Sequence, residues 1–331
     1  MKPKEIAEVI RTSIHNPSMP ALHLWGPPGV GKSRLCAQIT KEDHIRFIDM
    51  RFSMMDYSDI KGIPFPEDGR TKWLPPSELP REGRGLLLLD EFNLAPPLTQ
   101  ASGYQLVLDR KVGEYTLPDG WIIIAAGNRS EHGANVFKMA APLRNRFIHI
   151  DFEHDVEDWT EWAIDNRIVS EVIEFIRFRP DLLFAFKPDK HENAFPTPRS
   201  WEFVSKLIQN SNGLKAELRN VLIEGTVGEG AAIEFRGYLQ QRANLPSIDE
   251  ILAGKNHIPK DINIAYALVT ALAIRANPNQ FERLLQYSSK LATKEVAALM
   301  FRLMLRKDKK AVETSPSWKN ISMEYFDLLI G

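Results

Sequence analysis

The octapeptide Gly26-Pro27-Pro28-Gly29-Val30-Gly31-Lys32-Ser33 constrains this chain more than any other stretch of it. It fits the pattern G-x-x-x-x-G-K-[ST], which arises by chance in roughly one chain in a hundred of this size at average residue frequencies. Context separates this match from chance. Ala21–Trp25, just before it, is a short apolar run that reads as a strand, and Lys32–Thr40, just after it, reads as a helix. Glycines let the backbone curl until its N–H groups converge on phosphate oxygens, and the following helix adds the positive end of its dipole. Lys32 can then reach the β- and γ-phosphates of a nucleotide, and Ser33 can hold Mg²⁺.

Further strands and helices alternate through the first half. Ile45–Met50 alternates like a strand, and Gly85–Asp90 is a dense apolar run of the kind buried on both faces. Leu98–Arg110 reads as a helix, and Trp121–Ala126 and Phe147–Phe152 as two more strands. Such alternation predicts a parallel sheet covered by helices. A buried parallel strand delivers carboxylates to its C-terminal edge, beside the phosphates. There Asp90 can bind Mg²⁺ through water, and Glu91 can polarise the attacking water. Asn128 closes the strand WIIIAAGN, where a neutral amide can orient that water without repelling it.

Two arginine motifs complete the set. Leu143-Arg144-Asn145-Arg146-Phe147 precedes a strand, and Thr197-Pro198-Arg199-Ser200 stands at a predicted helix start. Hydrolysis of ATP needs positive charge on the γ-phosphate beyond that of the loop lysine.

Between the second and third strands lies Asp59–Pro80, rich in Pro and Gly and containing the turn signal Glu67-Asp68-Gly69. It reads as a hairpin projecting from the core. Its Ile63, Phe65, Trp73 and Leu74 imply that it packs against something.

After Asp155 the pattern turns helical, with candidates at Asp155–Asn166, Val169–Phe178, Pro198–Asn210, Lys215–Glu224 and Gly230–Gln241. Asn244-Leu245-Pro246 reads as a joint. Ile262–Arg275, Gln280–Leu291 and Lys294–Arg306 follow as helices.

Charge and composition exclude several classes. Lys plus Arg (42) nearly balances Asp plus Glu (43), so no general attraction to nucleic acid or anionic membrane exists. A single cysteine, Cys36, admits no internal disulfide and fits a reducing cytosol; its place on a predicted helix reads as a buried, inert thiol. The histidines show no zinc spacing. The N-terminal stretch lacks a secretory apolar core, and runs such as Ile264–Ile274 fall short of the roughly 20 residues of a membrane span. The expectation is a cytoplasmic protein.

In their order these motifs resemble the AAA+ ATPases, and specifically the MoxR-like branch, over roughly residues 5–240. Gly26–Ser33 corresponds to Walker A, Asp90 and Glu91 to Walker B, and Asn128 to sensor 1. The resemblance points to Arg146, in an Arg-Phe pair, as the arginine finger, with Arg144 as its competitor. It points to Arg199, in a Pro-Arg pair, as sensor 2. Asp59–Pro80 looks like the helix-2 insert of that branch. The architecture implied is an α/β P-loop core over residues 1–152 with the hairpin insert at 59–80, a helical lid over 153–245 and a helical C-terminal region over 246–331. The function implied is an ATP-hydrolysing ring, a homo-hexamer, that binds ATP with Mg²⁺ and remodels protein clients. Proteins bearing a von Willebrand factor A-type domain are the partners such ATPases often have. A DNA-acting motor or loader, and an ATP-gated assembly protein with little turnover, remain as alternatives.

Overall fold

The computed structural model describes residues 1–129, 136–187, 192–211, 213–242, 247–259, 262–291 and 293–330. Its chain divides into two compact units, one built on Met1–Asp158 and the other comprising Trp159–Phe186 and Glu192–Gly331.

The strands are β1 (Ala21–Trp25), β2 (Arg46–Arg51), β3 (Ile63–Glu67), β4 (Arg70–Leu74), β5 (Gly85–Asp90), β6 (Lys111–Val112), β7 (Tyr115–Thr116), β8 (Trp121–Gly127) and β9 (Phe147–Asp151). Five of them form one sheet in the order β2-β5-β8-β1-β9, every neighbouring pair parallel. Helices α1 (Pro3–His15), α2 (Lys32–Glu42), α3 (Tyr57–Lys61), α4 (Pro97–Asp109) and α5 (Ala141–Arg144) accompany it.

Strand periodicity explains why the sheet is covered on both faces. Successive side chains point to opposite sides. Leu86, Leu88, Ile122 and Ile124 pack with Ile6 and Ile10 of α1 and with Cys36 and Ile39 of α2. Leu87, Leu89, Ile123 and Ala125 pack on the other side with Phe52, Phe92 and Leu106. Each fully buried leucine or isoleucine contributes about 1.5–3 kcal/mol by leaving water. The apolar runs are continuous because both faces are buried. Cys36 is buried, and that burial pushes its thiol up, so it is inert at neutral pH.

The fold class expected of the sequence therefore holds as an α/β core with a parallel sheet flanked by helices and a glycine-rich loop between β1 and α2, followed by a helical region. Between the phosphate-loop strand β1 and the acid-bearing strand β5 lies β8, which Asn128 directly follows.

Strands β3 and β4 pair antiparallel from Ile63↔Leu74 to Glu67↔Arg70 around the two-residue turn Asp68-Gly69. Both turn residues have positive φ, the turn geometry that matches strand twist. The hairpin is present, but its apolar side chains are not packed as the sequence implied. Ile63 and Leu74 are 68% and 58% exposed. Among the four, Trp73 has a partner within the chain, the Lys61 ammonium 3.9 Å over its ring.

The second unit is helical: α7 (Ser170–Phe178), α8 (Pro198–Asn210), α9 (Ala216–Val227), α10 (Glu229–Arg242), α11 (Ile248–Ala253), α12 (Ile262–Arg275), α13 (Phe281–Ser288), α14 (Lys294–Lys307), α15 (Lys309–Glu313), α16 (Trp318–Glu324) and α17 (Phe326–Ile330) follow α6 (Val156–Asp165). Helix α7 packs against α8 and α10 on one side and α12 on the other. Glu174 of α7 is fully buried and takes Arg242 Nε of α10 at 2.6 Å. Leu268, Leu272, Phe281, Leu284 and Phe301 centre a core shared by α12, α13 and α14. The joint read at Asn244-Leu245-Pro246 lies outside the described residues. No helix among the described residues is long and apolar enough to cross a membrane.

Candidate active site

The loop between β1 and α2 owes its shape to glycine. Gly29 and Gly31 have φ of 79° and 112°, a region that side chains with a Cβ enter at a cost. That curl lets α2 begin at Lys32 with its first N–H groups unpaired inside the helix. Lys32 is buried, and its Nζ donates to the carbonyls of Gly26 at 2.6 Å and Pro27 at 3.1 Å and to Asn128 Oδ1 at 3.3 Å. One cation thus links the phosphate loop to the end of β8.

The acids come from β5. Asp90 Oδ2 accepts from Ser33 Oγ at 2.5 Å, and its Oδ1 accepts the Glu91 N–H at 2.9 Å. A hydroxyl and a carboxylate held together, at the first turn of a helix beside a lysine, are a hard-oxygen donor pair of the kind Mg²⁺ takes. Glu91 has φ of 54° and ψ of 34°, left-handed geometry that a residue with a Cβ adopts at some cost. Its carboxylate accepts a hydrogen bond from Ser53 Oγ, just past β2.

Four neighbours of these groups carry no motif and were not singled out from the sequence. Ser53 is one. Asn93 is the second: its Nδ2 donates to the Asn128 carbonyl at 2.6 Å, and its Oδ1 accepts the Asn128 N–H at 3.1 Å. This two-way amide bond fixes the backbone that aims Asn128. It also explains Gly127, where a Cβ would stand 2.5 Å from Asn93 Oδ1. Asp49 on β2 is the third. Partial burial first, then the negative charge of Asp90, raises its carboxyl above the ordinary aspartate range. His23 on β1 is the fourth, fully buried beneath the loop. Only a register in which β2, β5, β8 and β1 lie side by side brings these four to one edge.

Among the sequence-expected residues, the sheet brings Gly26–Ser33, Asp90, Glu91 and Asn128 to one edge. It does not bring Arg146 there. Strand β9 pairs in parallel with β1 from Ala21↔Phe147 to Trp25↔Asp151, and the phosphate loop leaves the Trp25 end. Arg146 precedes Phe147, so the length of the strand, about 13 Å, separates its backbone from that end. Arg144 and Arg146 are both exposed, and neither side chain has a bonded partner among the described residues. Arg199 belongs to the second unit. It is exposed in the first turn of α8, behind the Thr197 cap that accepts the Ser200 N–H at 3.0 Å. No group of three or more metal-ligating side chains occurs among the described residues.

No protein-family profile and no curated protein matches the chain. Solved structures do. The RuvB Holliday junction branch migration motor of Thermotoga maritima is 16% identical over 82% of this chain and 80% of its own, with a TM-score of 0.40. NtrX from Brucella abortus is 14% identical over 75% of this chain and 61% of its own, with a TM-score of 0.40. In complex with ADP, the same protein matches 98% of this chain and 68% of its own at the same identity and score. Likeness this distant leaves the argument to the geometry above.

Proposed function

We infer that the chain is an ATP-hydrolysing AAA+ ATPase of the MoxR-like kind, which works as a homo-oligomeric ring and remodels protein partners. Six subunits are the number the resemblance implies. Proteins with a von Willebrand factor A-type domain are the partner class to test. The core is residues 1–152, with a lid over 153–245 and a C-terminal region over 246–331.

The observation that carries the reading is the convergence of Lys32, Ser33, Asp90, Glu91 and Asn128 at one sheet edge, in contact through Ser33–Asp90 and Lys32–Asn128. Loop N–H groups from Gly26 to Ser33 bind the phosphates. Ser33 and Asp90 would hold Mg²⁺, which would supply positive charge to the phosphates. Lys32 exchanges its carbonyl partners for phosphate oxygens. Asn128 and Glu91 orient the water, and Glu91 draws its proton. The Ser53 hydroxyl competes with water for that carboxylate, so turnover requires Glu91 to leave Ser53. By the resemblance Arg199 is sensor 2, and Arg146 supplies charge to a neighbour's nucleotide.

Glu91→Gln tests the assignment. It retains size and hydrogen bonding but cannot take a proton, so ATP binds as before and turnover falls about 10²-fold or more. Lys32→Ala, by contrast, loses ATP binding in a fluorescent-nucleotide titration. Wild-type turnover in Glu91→Gln overturns the assignment. Turnover that DNA stimulates and salt suppresses would move the client from protein to nucleic acid.

A further inference from the structure

An aromatic layer runs from the phosphate-loop strand to the arginine segment. His23 and Trp25 project from the same face of β1, and their rings stack at 3.9 Å with 18° between planes. His23 also meets Phe147 edge-on at 5.2 Å. Arg129, next to Asn128, carries its guanidinium 5.2 Å over the Trp25 ring and pairs with Asp151. The Trp25 indole is therefore held from β1, β8 and β9 together.

Its N–H can only donate, and it donates to Nδ1 of His149 at 2.9 Å. That places the proton of the neutral imidazole on Nε2, which lies 2.8 Å from the carbonyl oxygen of Arg144. Two directional bonds on one ring tie the end of the phosphate-loop strand to the backbone of α5, two residues before Arg146. With no bonded partner for either arginine side chain among the described residues, their aim rests on that backbone.

We propose that His149 is a positioning residue, which with Trp25 holds the Arg144–Arg146 backbone in register with the nucleotide-binding edge. This rests on the reading of Arg146 as the finger. His149 acts through that backbone and not on the phosphate itself. It fixes where the guanidinium starts, and a misplacement of about 1 Å costs about 10²-fold in rate. Its ring is exposed, so replacing it removes little from the core.

The test uses substitutions that separate the bonds from the ring. His149→Phe retains a flat ring and loses both bonds. His149→Gln can still accept from Trp25 and donate to the Arg144 carbonyl. Trp25→Phe retains the stack and removes the donor. We expect His149→Phe to bind a fluorescent ATP analogue as wild type does, with turnover down about tenfold to a hundredfold. His149→Gln recovers most of that loss, and Trp25→Phe shows part of it. Mixed with Lys32→Ala subunits, His149→Phe regains turnover as Arg146→Ala does, because the defect lies in what a subunit offers its neighbour. Unchanged turnover in His149→Phe, a Gln variant as slow as the Phe variant, or no regain on mixing where Arg146→Ala does regain, overturns this inference alone. Full turnover in Arg146→Ala, or its failure to regain on mixing, overturns the finger reading and this inference with it.

Discussion

At the scale of single residues, His23 is a costly group in the core. It is fully buried, and neither ring nitrogen has a hydrogen-bond partner among the described residues. A buried polar atom left unpaired costs about 1–3 kcal/mol. Burial first, then the nearby His149, Lys32 and Arg129, holds its pKa well below the ordinary 6.5. In the folded chain His23 stays neutral, whereas in the unfolded chain it takes a proton near 6.5. Below that pH the unfolded state binds more protons, so stability falls as pH falls. Between about pH 7.5 and pH 5.5 this one group removes stability on the order of 1 kcal/mol. His23→Phe retains the stack on Trp25 and abolishes the titration. Any overpacking it introduces shifts stability equally at both pH values. Urea unfolding at the two pH values is therefore expected to show wild type losing more than His23→Phe by that amount. His154, lowered by its own burial, contributes equally to both proteins. Equal losses would mean that His23 is protonated in the fold or does not titrate when unfolded.

At the scale of elements, what could be read in advance divides by length and period. Strands β5 and β8 were readable because burial on both faces writes a continuous apolar run. Pro198–Asn210 was readable to the residue, since a Thr cap, a proline in the first turn and an amphipathic run all agree. Strands β6 and β7 have two residues each and α5 has four, too few for any period to register. Gln280–Leu291 read as one helix, yet a 3-10 turn at Pro278–Gln280 precedes a helix that ends at Ser288. The phosphate loop and acids were readable as motifs. Ser53, Asn93 and His149 were not, because their roles come from strand order.

Hairpin β3–β4 is the element whose sequence implied cover that the chain does not supply. On one face Ile63 opposes Leu74 and Phe65 opposes Lys72, and the three apolar side chains are exposed. A two-stranded hairpin is marginal in water alone, and an apolar face left open marks a contact. Ile63→Ser with Leu74→Ser is expected to leave ATP binding unchanged and unfolding little changed, because both side chains are already more than half in water. The same change is expected to reduce client-stimulated turnover or assembly. Wild-type values for both make the hairpin a surface loop.

At the scale of the whole molecule, the proposed nucleotide site and Arg146 stand at opposite ends of the β1–β9 pair. The length of β9 stands between the Arg146 backbone and the end of β1 from which its own phosphate loop leaves. Other apolar side chains face water in the second unit, where Leu218, Val221 and Leu222 recur at helical spacing along α9. If Arg146 is the finger proposed above, a chain that exposes both it and apolar side chains is suited to heterologous contact, in which each copy offers one surface and receives another. If so, the pocket is incomplete until a second copy arrives, and the missing charge is worth about 10³–10⁵ in rate in other P-loop enzymes. ATP turnover per chain is therefore expected to rise steeply with protein concentration and then level off. Sedimentation with ATP present is expected to find assembly over the same range of concentration. The Glu91→Gln variant, which retains ATP, is expected to assemble at equal or lower concentration than wild type. A specific rate that stays constant down to concentrations where only monomers sediment would mean that each chain completes its own site, and that Arg146 is a surface arginine at the start of a strand.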